Sequence, residues 1–158
     1  MTPLSNRYPE SVSQPRSDNS GIALFNRVAS TNAAVVYLGE AEVPSINATL
    51  LLNGIPVTLL GTHPLPPGSA EYARLRNDQL RAIATKVQAS KGLTIVLGDL
   101  NATPWWPAYL PIGRIPLDHC LVSPSIYVIN KQLGPNVGSD HLPVVIDLEI
   151  PTLNGSKG

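Results

Sequence analysis

The sequence predicts an α/β (α+β) domain with one mainly antiparallel or mixed sheet and one long helix. Three features support this prediction. Short apolar runs are rich in Val, Ile, Leu and Thr, which favour strands. One segment, residues 69–90, carries apolar residues at helical spacing. The 16 prolines and 12 glycines among 158 residues divide the chain into short elements joined by turns.

The first half of the chain is predicted to consist mostly of strands. Residues 1–20 are polar and contain prolines, which predicts a flexible N-terminal arm ahead of a domain over residues 21–150. An apolar run at 21–25 begins this domain, and further strands are predicted at residues 33–38, 46–52 and 55–61. Asn53-Gly54 lies between the last two strands and favours a two-residue type I′ hairpin.

The second half begins with the predicted helix. Ser69 is a suitable N-cap, and Leu80, Ile83 and Val87 form one apolar stripe along the helix. Strands are then predicted at residues 93–97, 115–122, 125–130 and 144–149, followed by a tail at 151–158.

The composition excludes several classes of protein. Eleven Lys and Arg residues balance eleven Asp and Glu residues, and this zero net charge excludes a broad basic surface that holds duplex DNA by charge alone. The single cysteine, Cys120, excludes an internal disulfide framework and a zinc site with several thiolates. No apolar run reaches the roughly 18 residues of a membrane span, and no signal-like segment follows Met1. We therefore expect no membrane segment, and localisation is open, with the cytoplasm as the default.

Side chains that can perform chemistry gather where predicted strands end. They are His63, Asp99, Asn101, Asp118, His119, Asp140 and His141. Because loops at strand ends line the natural crevice of layered folds, several of these side chains are expected to converge. Carboxylate and amide oxygens suit Mg²⁺ or Mn²⁺, and an imidazole can contact a phosphate oxygen or transfer a proton. The pattern favours hydrolysis of a phosphate ester.

Each of these positions also has a simpler structural explanation. An Asp that follows a strand, such as Asp99, is more often a turn residue or a helix cap. His63 precedes a proline and can be an ordinary loop residue. His119 would point away from Asp118 in an extended segment, so we assign it a structural role, and we expect Cys120 to lie in the core.

The order of four short motifs narrows the alternatives. Thr62-His63-Pro64 is followed by GDLNATP at 98–104, LDH at 117–119 and GSDHLPV at 138–144. This series resembles the endonuclease/exonuclease/phosphatase (deoxyribonuclease I-like) family, from about residue 21 to residue 150. The resemblance implies the second half of a four-layer α/β/β/α sandwich.

The resemblance also implies roles for single residues. His63 is similar to the histidine that contacts the scissile phosphate. Asp99 matches the aspartate that orients or deprotonates the attacking water, and Asn101 matches the amide beside it. Asp118 matches the aspartate that orients the final histidine, which is His141.

The implied metal site is incomplete. Asp140 matches a ligand for Mg²⁺ or Mn²⁺, but the family's opening half, which supplies the principal metal-binding glutamate, has no counterpart here. Only sixteen residues separate Asn101 from Asp118, where the family usually has several dozen. We therefore expect weak metal binding, and an upstream reading frame encoding the missing motifs would mark this chain as a fragment.

Half a sandwich would also expose a large apolar sheet face. We therefore expect a homodimer or higher oligomer that covers this face, which size-exclusion chromatography with light scattering would test.

The sequence leaves three functions open. The first is that the chain is a metal-dependent phosphoesterase, active or weakly active, which acts on a phosphate ester or a nucleic acid. Alternatively, it is a non-catalytic truncated family member that folds by self-association. A third alternative is an interaction module that pairs with a separate chain.

Overall fold

The computed structural model describes residues 6–101, 119–139 and 141–152. Within these ranges the chain forms nine strands and one long helix. They are β1 (Glu10–Gln14), β2 (Ile22–Asn26), β3 (Ser30–Tyr37), β4 (Pro44–Leu52), β5 (Ile55–Thr62), α1 (Ala70–Ala89), β6 (Leu93–Gly98), β7 (His119–Val122), β8 (Tyr127–Leu133) and β9 (Val144–Glu149).

Five of the strands form the central sheet, in the order β3-β4-β5-β6-β7. β5 and β6 are parallel and the other neighbours are antiparallel, so the sheet is mixed as predicted. The parallel pair needs a crossover, and α1 supplies it. Asn53 and Gly54 have φ of 51° and 81°, the positive values that a type I′ turn requires, and this confirms the predicted hairpin between β4 and β5.

The helix α1 begins and ends close to the predicted limits. The Ser69 hydroxyl accepts the N–H of Tyr72 at 3.1 Å, which confirms the predicted N-cap. Leu80 and Ile83 are buried against one face of the central sheet, where they meet Leu60, Val96 and Leu121. The predicted apolar stripe is therefore the surface that holds the helix on the sheet.

The opposite face of the central sheet is covered by two small sheets. β1 pairs with β2, and β8 pairs with β9, both antiparallel. Leu24 of the first pair packs against the buried cluster of Ala48, Leu50 and Leu59. The second pair contributes Ile146, Leu148 and Ile150 to the cluster built on Val57, Ile95, Cys120 and Ile126.

This third layer removes the reason given for a homodimer. Val57 and Cys120 are 0% and 1% exposed, so the sheet face that the sequence predicted to be bare is buried within one chain. The exposed large apolar side chains include Tyr127, Ile129 and Leu133 on β8, which lie in the covering layer instead. The homodimer itself stays a prediction.

The predicted N-terminal arm is wrong for residues 10–14. These residues form β1, whose side chains alternate between exposed and half-buried as Val12 and Gln14 turn toward the protein. A polar strand of this kind is stable because β2 supplies its backbone partners. Parts of other predicted elements, at residues 115–118 and 153–158, lie outside the described residues.

None of the helical segments that the structure describes has the length and apolar character needed to cross a bilayer.

Candidate active site

The parallel pairing of β5 and β6 positions two of the predicted site residues. Gly61 pairs with Leu97, so continuing this register by two residues places His63 beside Asp99. Both residues follow the carboxyl ends of their strands, where side chains of an α/β fold line a crevice. The mixed topology of the central sheet therefore determines which residues meet.

Gly98 makes the close approach of the two strands possible. It has φ of +140°, and a Cβ atom there would lie 1.8 Å from the backbone oxygen of Thr62. Only a residue without a side chain fits this contact, since no carbonyl oxygen tolerates a carbon so near. Gly98 therefore sets the direction in which the chain leaves β6 toward Asp99.

Asn101 is held in place by three separate hydrogen bonds. Its backbone N–H donates to Asp99 Oδ1 at 2.9 Å, and its side-chain amide donates to the carbonyl of Pro64 at 2.9 Å. Its own carbonyl accepts from Arg76 Nη1 at 2.6 Å. These bonds hold a left-handed backbone with φ of 48°, which Asn tolerates better than most residues.

A buried polar cluster supports the other wall of the site. Gln79 of α1 is fully buried, and its amide donates to Ser45 Oγ at 3.4 Å and to Thr62 Oγ1 at 3.3 Å. The two hydroxyls lie 2.8 Å from each other. Because Thr62 directly precedes His63, this cluster anchors the strand end that carries the histidine.

The loop between β8 and β9 brings the last predicted residue. The N–H of Gly134 donates to the carbonyl of Pro143 at 2.6 Å, which closes the loop. Within it, the N–H of His141 donates to Ser139 Oγ at 3.2 Å. His141 is exposed and lies at the mouth of the same crevice as His63 and Asp99.

The crevice has a volume of about 610 Å³. Four of the predicted site residues line it, namely His63, Asp99, Asn101 and His141. The two other predicted residues, Asp118 and Asp140, lie outside the described residues. His119, which follows Asp118 in sequence, pairs with Gly98 at the crevice end of β6 and is buried.

Asn19 and Ser20 also line the crevice, although no sequence motif indicates them. They lie in the loop between β1 and β2, a segment assigned to the flexible arm. Asp18 orders this loop, because its carboxylate pairs with Arg16 at 2.7 Å and accepts the N–H of Ser20 at 2.9 Å. The Arg16 guanidinium and the Ser20 amide hold the pKa of the Asp18 carboxyl well below its usual range. The alternation of residues 10–14 is the signal that could have indicated a strand and its loop here.

An apolar recess of about 330 Å³ adjoins the crevice and shares His63 and Asp99 with it. Side chains and backbone of β2 line one side, including Ile22 and Leu24, and Leu59 and Leu97 lie on the central sheet below. The polar crevice therefore has an apolar neighbour that can take an uncharged part of a ligand.

A second large cavity, of about 600 Å³, lies between the end of α1, the start of β6 and the end of β7. The lining of this cavity is mainly apolar. Among the described residues that line it, Lys91 alone has a charged side chain. Among the residues that the structure describes, its lining contains no carboxylate and no histidine. The crevice is therefore the candidate active site.

Cys120 is buried in the core as predicted, and burial raises the pKa of its thiol, so it is not a candidate nucleophile. No group of three or more His, Cys, Asp or Glu side chains placed to hold a metal ion is found among the residues that the structure describes. The described part of the crevice thus provides hydrogen-bonding groups but not a complete set of metal ligands.

Comparisons with known proteins agree with this architecture. The model of the Endonuclease/Exonuclease/phosphatase family matches residues 3–141. The match begins near the start of the chain, and not near residue 21 as the resemblance predicted, which agrees with the presence of β1. Among curated proteins, no sequence matches the chain.

Solved structures share the fold at low identity. An endonuclease/exonuclease/phosphatase from Beutenbergia cavernae superposes with a TM-score of 0.67 at 21% identity, over 82% of this chain and 47% of that one. The human Nocturnin catalytic domain with bound sulfate gives 0.68 at 22% identity, over 94% and 75%. The Staphylococcus aureus beta toxin with bound magnesium ions gives 0.58 at 14% identity, over 90% and 75%. The chain thus spans about half the length of the first of these structures.

Proposed function

Because the chain belongs to the endonuclease/exonuclease/phosphatase family, we propose that it hydrolyses a phosphate ester in the crevice between β5, β6 and the β8–β9 loop. One observation carries the proposal. His63, Asp99 and His141 come from three separate segments, and all three line one crevice with Asn101. The family resemblance assigns these four residues to phosphate binding and to activation of water.

The chemistry follows from the groups in the crevice. Asp99 uses one carboxylate oxygen to accept the N–H of Asn101, and its other oxygen can accept a proton from a water that attacks phosphorus. The imidazoles of His63 and His141 supply N–H donors for phosphate oxygens, and a protonated imidazole can give its proton to the leaving oxygen. Catalysis would depend mainly on positioning and on stabilising negative charge.

The charge of the chain restricts the substrate. Eleven basic residues are balanced by eleven acidic ones, so no general excess of positive charge attracts a polyanion. The apolar recess beside His63 and Asp99 suits an uncharged group attached to the phosphate. These features favour a small phosphate monoester or diester over long duplex DNA.

The part played by a metal ion is a further element of the proposal. Asp140 is the ligand that the resemblance assigns to Mg²⁺ or Mn²⁺, and it lies outside the described residues. The described residues do not complete a ligand set. When bound, such an ion would supply positive charge for the phosphate oxygens.

We expect this metal binding to be weak. Titration calorimetry with Mg²⁺ and with Mn²⁺ should give dissociation constants on the order of a millimolar or weaker, because few oxygen ligands are available. The variant Asp140→Asn should weaken binding further, whereas Asp147→Asn, which changes an exposed carboxylate of β9, should not. A sub-millimolar constant would show that other residues complete the site.

Hydrolysis of bis(p-nitrophenyl) phosphate and p-nitrophenyl phosphate tests the function. We expect the protein to release nitrophenolate when Mn²⁺ or Mg²⁺ is added. After EDTA treatment, the hydrolysis rate should fall to the rate measured in buffer without protein. A short single-stranded oligonucleotide and a duplex of the same sequence, assayed in parallel, separate a nuclease from a small-molecule esterase. Absence of turnover on all four substrates would contradict the proposal.

A non-catalytic role is the second candidate. It is favoured by the lack of a counterpart in this sequence for the family's principal metal-binding glutamate. In that case the crevice would bind inorganic phosphate without turning over any ester, and titration of the protein with phosphate would show binding in the absence of hydrolysis.

A further inference from the structure

We infer that Arg76 of α1 is a positioning residue that holds Asn101 in the orientation the crevice uses. The inference rests on the proposed function for its effect on catalysis, but the contact itself can be tested without any activity. Neither the motifs nor the family resemblance singles out this arginine.

The guanidinium of Arg76 bridges the helix and the end of β6. Its Nη1 donates to the backbone carbonyl of Asn101 at 2.6 Å. On its other side, Nε and Nη2 donate to Oδ1 of Asn77 at 3.1 and 2.9 Å. The planar guanidinium is therefore fixed by Asn77 while it holds Asn101, and it is partly shielded from solvent.

Asn101 needs such support because of its backbone conformation. Its φ of 48° lies in the left-handed region, which costs an L-residue free energy unless surrounding contacts maintain it. The bonds to Asp99 and Pro64 engage the N–H and the side chain, and the bond from Arg76 engages the carbonyl. Loss of the third bond releases the carbonyl, and with it a restraint on φ, whose rotation would move the Asn101 side chain relative to Asp99.

Arg76 differs in this respect from other arginines of the protein. The ion pairs among the described residues join Arg16 to Asp18, and Arg74 to Glu71 and Glu40. Arg76, by contrast, has no ion pair among the described residues, and donates to the side-chain oxygen of Asn77 and to the carbonyl oxygen of Asn101.

Kinetics of three variants test the catalytic consequence. Arg76→Ala should lower kcat about tenfold or more with a small change in KM, because misplacement of a positioning contact affects the reacting geometry. Arg76→Lys should recover part of this loss, since an ammonium can reach the carbonyl but cannot bridge it to Asn77 as the guanidinium does. Arg81→Ala, which removes an exposed arginine from the same helix, is the matched control and should leave kcat unchanged.

Removing Asn101 distinguishes positioning from a direct role. In an Asn101→Ala background, Arg76→Ala should cause little additional loss, because the residue through which Arg76 acts is gone. An undiminished tenfold loss in that background would overturn the inference, since it would mean that Arg76 acts on the substrate or on the whole fold.

A spectroscopic readout separates this inference from the proposed function. The ¹⁵N–¹H resonances of the Asn101 backbone and side-chain amides should shift in Arg76→Ala and stay in place in Arg81→Ala, with or without inorganic phosphate. Unmoved resonances together with normal kcat in Arg76→Ala would refute the inference and leave the proposed function intact. If the wild-type protein shows no hydrolysis, the proposed function fails, and the resonances alone decide whether Arg76 positions Asn101.

Discussion

The substitution Gly98→Ala is expected to destabilise the protein by about 3 kcal/mol or more, and to abolish any activity of the crevice. An added Cβ would lie 1.8 Å from the carbonyl oxygen of Thr62, and φ at this position is +140°. The obstruction is backbone, so it cannot be relieved by rotating a side chain. The ends of β5 and β6 would have to separate, and His63 and Asp99 follow these ends directly.

Urea denaturation of the wild-type and variant proteins measures this effect. Gly92→Ala is the matched control, because a Cβ there meets nothing within 4 Å and the residue precedes the same strand, β6. The control should change the free energy of unfolding by no more than about 0.5 kcal/mol. A Gly98→Ala protein with the wild-type denaturation midpoint would show that the two strands do not approach as closely as the structure indicates.

Much of the central sheet could be predicted from local sequence. The Asn53-Gly54 turn indicates one antiparallel pair, and the capped amphipathic helix after β5 is a suitable crossover to a parallel strand. Once β5 and β6 are parallel, the residues after them must share one edge of the sheet. This is why His63 and Asp99 could be expected to meet although they lie 36 positions apart in the sequence.

The covering layer could not be predicted in the same way. β1 is polar, and its stability comes from pairing with β2 and not from its own composition. With β1 placed in a flexible arm, Asn19 and Ser20 had no expected position. Strands were predicted near β8 and β9, but not as the layer that covers the sheet face around Val57. Tertiary packing thus decided both the added crevice residues and the burial of the central sheet.

The contacts of α1 show a second limit of sequence patterns. Helical periodicity identified the buried stripe of Leu80 and Ile83, but it treats Arg76 and Gln79 only as polar positions. Their partners, Asn101 and Thr62, lie on two different strand ends. Periodicity predicts which face of a helix is buried, whereas the particular acceptor that a side chain reaches depends on how the strands end.

Among substitutions that leave the fold intact, the largest loss of activity is expected at Asp99. Its carboxylate has two roles, since one oxygen accepts the N–H of Asn101 and the carboxylate also faces the crevice. The substitution Asp99→Asn keeps an oxygen that can accept this N–H but removes the negative charge. We therefore expect kcat for phosphodiester hydrolysis to fall at least about 100-fold, as for loss of a general base, while the melting temperature stays near that of the wild type.

Asp99→Ala removes the hydrogen bond as well as the charge. It should lose the same activity and also about 1 kcal/mol of stability, because the turn that holds Asn101 loses its acceptor.

His141→Ala should lower kcat strongly without this loss of stability, since His141 is exposed on a loop. Asp147→Asn, an exposed carboxylate on β9 outside the crevice lining, is the control for the charge change. Equal hydrolysis rates in the wild type, Asp99→Asn and His141→Ala would mean that the reaction takes place elsewhere or is due to a contaminant, and the crevice would then be a binding site without catalysis.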